Sequence, residues 1–115
     1  MWRDEAYLLD MLIAARHALK FLDEASLEDF ASDALRQSAV IRQLEIIGEA
    51  ASKVSDEFRS LHPALPWTEI VGMRNRLIHE YRSVDVERVW HTVAQHIPEL
   101  ITHLGPLIPA EEELA

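Results

Sequence analysis

The sequence predicts an all-α protein, an up-and-down bundle of about four to five helices. Apolar residues recur at spacings of three and four through most of the chain, the signature of one buried helical face. A long stretch from Asp33 to Val54 contains no proline. No segment shows the strict apolar–polar alternation of a half-buried strand, and no repeat or low-complexity stretch interrupts the pattern. The 115 residues, 49% of them hydrophobic, suit one domain with one core.

The first helix follows from Leu8, Leu12, Ala15, Leu19 and Leu22. It breaks at Asp23-Glu24-Ala25-Ser26, where Ser26 and Asp29 form a capping box with Asp in the usual Glu place, and a short helix over about 27–31 follows. The second long helix, about 33–54, carries Val40, Leu44, Ile47, Ala51 and Val54. Ile41, Ile46 and Ala50 widen its stripe beyond what one neighbouring helix covers, which implies deep burial within the domain or a second partner such as another subunit. Gly48 and Ala51 offer a place where another backbone approaches closely. Residues 56–61 form a turn or short helix, and Pro63 and Pro66 punctuate a loop. A third major helix starts near Trp67 and turns Ile70, Met73 and Leu77 inward. Ser83 or Asp85 caps the last helix, whose apolar face runs from Val86 to Leu104. Pro98 inside that face predicts a kink or a fresh start after Gln95-His96. Gly105-Pro106 stops it, and the acidic tail from about residue 106 is expected to fray.

Composition narrows the function. Cysteine is absent, so neither a disulfide framework nor a thiolate metal site can form. The start Met1-Trp2-Arg3-Asp4-Glu5 carries acid where a signal peptide carries base, and no apolar run reaches membrane-spanning length; a cytoplasmic location is expected. The net charge of −9 argues against non-specific nucleic-acid binding by the overall field. The charge is uneven, however. Residues 1–30 hold seven acids against three bases, and 99–115 hold four acids and no base. Residues 71–91 hold Arg74, Arg76, Arg82 and Arg88 against three acids. A local phosphate site there is compatible with the acidic whole.

That stretch contains Arg74-Asn75-Arg76-Leu77-Ile78-His79-Glu80-Tyr81. Arginine is a fixed cation that forks onto phosphate oxygens, and histidine exchanges a proton near pH 7. The pair suggests metal-free chemistry on a phosphodiester. Arginine and histidine also suit a helix C-terminus for purely structural reasons. Helical geometry constrains the chemical reading. Arg74 and His79 point about 140° apart on an ideal helix and cannot both touch one phosphate. Either the helix ends before His79, or a second copy completes the site. Asn75 and His79 share a face, which places Asn75 to bond the imidazole or a substrate oxygen. Arg74 and Tyr81 share another face if the helix persists.

The string from Met73 to Tyr81 resembles the R-x4-H-x-Y motif of HepT-like proteins, small all-helical members of the HEPN superfamily. Leu44-Glu45-Ile46-Ile47-Gly48-Glu49-Ala50, Pro66-Trp67-Thr68-Glu69-Ile70-Val71-Gly72 and Val84-Asp85-Val86-Glu87-Arg88-Val89-Trp90, with Ile97-Pro98-Glu99-Leu100, resemble that family's flanking helices. The likeness covers nearly the whole chain. It implies a HEPN-like bundle that forms a homodimer, and an RNA-cleaving toxin of a type VII toxin–antitoxin system. By position, Arg74 and His79 are the implied catalytic pair and Asn75 a polar helper. Tyr81 is the implied acceptor of AMP from a partner nucleotidyltransferase antitoxin of the MNT type, which silences the toxin. A non-catalytic nucleotide-binding or adaptor subunit for the same partner is the alternative.

The remaining residues are weaker signals. Arg76 and Arg82 are candidate RNA contacts, as is Arg88. Among six histidines, His91, His96 and His103 lack metal-ligand spacing, and no metal or other cofactor is expected. Glu45 and Glu49 read as a solvated face with salt bridges to Arg42 or Lys53; Glu49 is the better placed to reach the motif. Trp67 and Trp90 read as core.

Overall fold

The computed structural model describes residues 2–80 and 82–109, the side chain of Trp2 excepted. Trp2–Leu22 form α1. Leu8, Met11, Ala15 and Ala18 are fully buried along it, with Asp4 and Glu5 in the first turn where the helix dipole favours acid. The chain leaves α1 through Asp23 and Glu24, whose φ values of 50° and 57° lie in the left-handed region that reverses a helix. Leu27–Ala31 form α2, with the Ser26 hydroxyl accepting from the Asp29 amide and Phe30 fully buried.

Ala34–Lys53 form α3. Its N-cap Asp33 accepts from the Arg36 amide at 3.0 Å, and that bond holds the Asp33 carboxyl below its ordinary range. Arg36 then reaches back to donate to the carbonyls of Phe21 and Leu22. One side chain thus satisfies orphan acceptors at the end of α1 while fixing where α3 begins. At the other end of the pair, Asp4 of α1 accepts from both the amide and the hydroxyl of Ser55, at 2.8 and 2.7 Å. Ser55 caps α4, Asp56–Leu61. These two ties hold α1 and α3 antiparallel.

Trp67–His79 form α5, antiparallel on α3. The Trp67 ring is buried and donates to the His62 carbonyl at 2.9 Å, closing the proline loop beneath it. Asp85, rather than Ser83, caps α6, Val86–His91. Trp90 is only half-buried and donates to the Ala25 carbonyl. A new helical segment starts directly after His96, with Pro98 in its first turn. Thr92–His96 widen into a π-helical turn, with the Ile97 amide bonded to Thr92, and α7, Ile97–Leu104, continues from it. Proline lacks an amide and its ring crowds the carbonyl four residues back. One extra residue in the turn relieves both problems. Gly105–Leu107 form a 3-10 turn, and Leu107 and Ile108 pack on the core. Residues 110–115, which hold most of the acidic tail, lie outside the described residues.

The result is an all-α bundle in which α1 and α3 form the central pair, α5 covers α3, and α7 covers α1. The core is continuous from Leu8 to Leu104. No helix among the described residues is long and apolar enough to cross a membrane.

Candidate functional site on the α3 and α5 pair

The site begins with a missing side chain. Gly48 is buried in α3 where α5 crosses it. A Cβ built there would overlap the Arg74 Cβ, and would lie 2.9 Å from the Arg74 Cγ and 3.2 Å from the Ile70 carbonyl. Glycine therefore allows the two backbones to approach, and the residue seated on the contact is Arg74. The stem of Arg74 is fixed by packing before its charge is considered.

Its head is held by polar partners. The guanidinium donates to the Glu49 carboxylate at 2.7 Å and to the Asn75 Oδ1 at 3.0 Å. The other Glu49 oxygen meets Lys53 at 3.4 Å. Glu49 therefore both reaches the motif and makes the expected salt bridge to Lys53. The Asn75 oxygen accepts from Arg74, a bond the sequence analysis did not name beside the imidazole and a substrate oxygen. Three N–H groups of a guanidinium remain for another acceptor when two are engaged.

His79 lies on the last turn of α5, exposed. α5 ends on His79 itself, with Glu80 as its cap, so the helix does not end before the imidazole. Both residues lie on α5, where a five-residue offset separates their positions by about 140°. Tyr81 lies outside the described residues. Arg76 is exposed and lines a second, largely apolar groove of about 510 Å³ together with Ile47, Ile70 and Leu100. Arg82 is exposed in the turn between α5 and α6. No group of three metal-ligating side chains occurs among the described residues.

Arg74 opens onto a groove of about 320 Å³. Tyr7 of α1, Arg42, Ile46 and Lys53 of α3, and Arg74 and Ile78 of α5 line it, with the carboxylates of Asp10, Glu45 and Glu49. Sequence reasoning missed Tyr7. It sits on the first helix, about sixty-seven positions from Arg74, and only the packing of α1 on α3 brings the two to one groove.

Comparison with known proteins identifies the family of the chain. A family model described as "Ribonuclease HepT-like" matches residues 11–106. A Thermococcus cleftensis protein named "Probable ribonuclease HepT" is 47% identical over 82% of this chain and 86% of its own length. A "Putative RNase" of Caldanaerobacter subterraneus is 39% identical over 92% of this chain and 95% of its own. Another, of Methanocaldococcus jannaschii, is 38% identical over 84% and 88% respectively. No solved structure matches the chain.

Proposed function

Because the chain belongs to the HepT-like ribonuclease family, we propose that it is a ribonuclease whose reacting groups are Arg74 and His79. The observation that carries this reading is the anchoring of Arg74: Gly48 fixes its stem and Glu49 and Asn75 fix its head. A guanidinium prepared in this way costs little to organise when charge develops on a phosphate.

In the proposed reaction the His79 imidazole takes the proton of a ribose 2′-OH. The 2′-oxygen bonds to phosphorus while Arg74 faces the non-bridging oxygens. The bond to the 5′-oxygen breaks, and that oxygen takes up a proton from the imidazolium or from water. The products are a 2′,3′-cyclic phosphate and a 5′-hydroxyl, an endonucleolytic cut that needs no metal. Asn75 serves by orienting Arg74, and Arg76 and Arg82 are candidate contacts to flanking phosphates. The separation of about 140° between the Arg74 and His79 positions on one helix supports a homodimer in which each copy supplies part of each site.

The regulatory part of the reading places the protein as the toxin of a type VII toxin–antitoxin system. A nucleotidyltransferase partner would join the Tyr81 phenol to the α-phosphate of ATP, with release of pyrophosphate. The resulting anion lies two residues from His79 and competes with RNA phosphate.

The deciding experiment is incubation of purified, unmodified protein with single-stranded RNA in EDTA, followed by analysis of the ends. Cyclic phosphate and 5′-hydroxyl ends are expected. Intact RNA, or 5′-phosphate ends, would overturn the mechanism.

A further inference from the structure

We propose that the groove beside Arg74 is a subsite for one unpaired nucleotide of the RNA, with the Tyr7 ring as its stacking platform. The inference rests on the ribonuclease reading for the identity of the chain bound, and on the groove's own chemistry for the mode of binding.

Four features converge. The groove opens at Arg74, so a strand whose phosphate meets that guanidinium has its neighbouring nucleotide delivered to the groove. Its volume of about 320 Å³ is at the small end for ligand pockets and suits a single base with its sugar. The half-buried Tyr7 ring is held by the core on one side, and Lys53 stands 6.0 Å from its centroid, as cations do over an accessible aromatic face. The Lys53 side chain is 52% exposed, so a base settling on the ring displaces the ammonium outward toward the strand's phosphates.

Charge supports the same occupant. The protein as a whole carries −9 and repels a polyanion. The groove's lining balances Arg42, Lys53 and Arg74 against three carboxylates, which makes it a locally neutral entry. Arg42 and Lys53 suit backbone phosphates, whereas the Glu45 carboxylate can accept from the amino and imino groups of a base edge. Stacking plus edge recognition is how proteins hold unpaired bases. Base-paired RNA keeps those edges and faces occupied.

The test compares wild-type protein with Tyr7→Phe and Tyr7→Leu for binding and cleavage of a short single-stranded RNA and of the same sequence as a duplex. Tyr7→Leu keeps an apolar side chain against the core, and circular dichroism checks the fold. Tyr7→Phe should bind within about twofold of wild type, and Tyr7→Leu about tenfold more weakly. KM should rise with Kd while kcat changes little, and the duplex should bind poorly throughout. If Tyr7→Leu binds and cleaves as wild type does, or if the wild-type protein binds no single-stranded RNA, the subsite is wrong. Tyr7-dependent binding without cleavage keeps the subsite and overturns the ribonuclease reading instead.

Discussion

Gly48 of α3 lies directly beneath Arg74 of α5, with no space for even a methyl group between them. The contact couples packing to chemistry, because the residue that seals the helix crossing is also the proposed phosphate ligand. Gly48→Ala must push α5 outward or shift the Arg74 backbone. The added methyl should destabilise the fold by about 1–3 kcal/mol, outweighing the helix propensity that alanine gains. Urea unfolding checks the first effect, and RNA cleavage should fall even where the variant remains folded.

Glu49 holds Arg74 through its carboxylate at 2.7 Å. Glu49→Ala should release the guanidinium and lower kcat about tenfold. Glu49→Gln keeps an acceptor and should retain most of the activity. Steady-state kinetics of the two variants decide the point. Equal loss in both would mean that the charge of Glu49, rather than its bond to Arg74, is what matters.

Arg74→Ala and His79→Ala should each reduce cleavage by about a hundredfold or more. If the site is assembled from two copies, a mixture of the two inactive variants regains activity. Each mixed dimer then holds one site with both an intact Arg74 and an intact His79. Random pairing should restore about a quarter of wild-type activity. Co-expression of the two variants with distinct tags is the measurement; a mixture as inactive as its parts would place both residues of a site in one chain.

Asp4 predicts a pH effect on stability. Burial raises its pKa, but the amide and hydroxyl of Ser55 more than offset this, and the carboxyl sits below its ordinary value. A depressed folded pKa stabilises fully above the unfolded value of about 4. That contribution is lost as pH falls through the folded value. Ser55→Ala removes one bond and leaves Asp4 the other; Asp4→Ala leaves the Ser55 amide without its partner and should cost about 1–3 kcal/mol at pH 7. The difference between wild type and Asp4→Ala should shrink below pH 4 in chemical unfolding followed against pH.

Tyr81→Phe removes only a hydroxyl. The variant should still cleave RNA, and the proposed nucleotidyltransferase partner should no longer silence it. Intact mass after incubation with that partner and ATP gives the answer. An AMP-sized gain that persists in Tyr81→Phe would move the modification to another residue.

The sequence by itself determined the helices, because their signals are local. The three-and-four spacing of Leu8 to Leu22 and of Val40 to Val54, the Ser26 cap and the proline loop before Trp67 all act within a few residues. It also identified Arg74, Asn75, His79 and Tyr81 as a group, since they share one short motif. The tertiary structure decided what the motif touches. Glu49 lies on another helix, and its choice of Arg74 as partner depends on the close crossing that Gly48 permits. Asn75 accepts from Arg74 at 3.0 Å, a bond between adjacent residues that helical periodicity, which offered His79 or a substrate oxygen, does not single out. The π-helical turn before Pro98 resolved a choice between kink and restart that local propensity leaves open. Tyr7 carries no motif at all. Its place beside Arg74 comes from α1 packing on α3, a long-range contact that spacing along the chain does not encode.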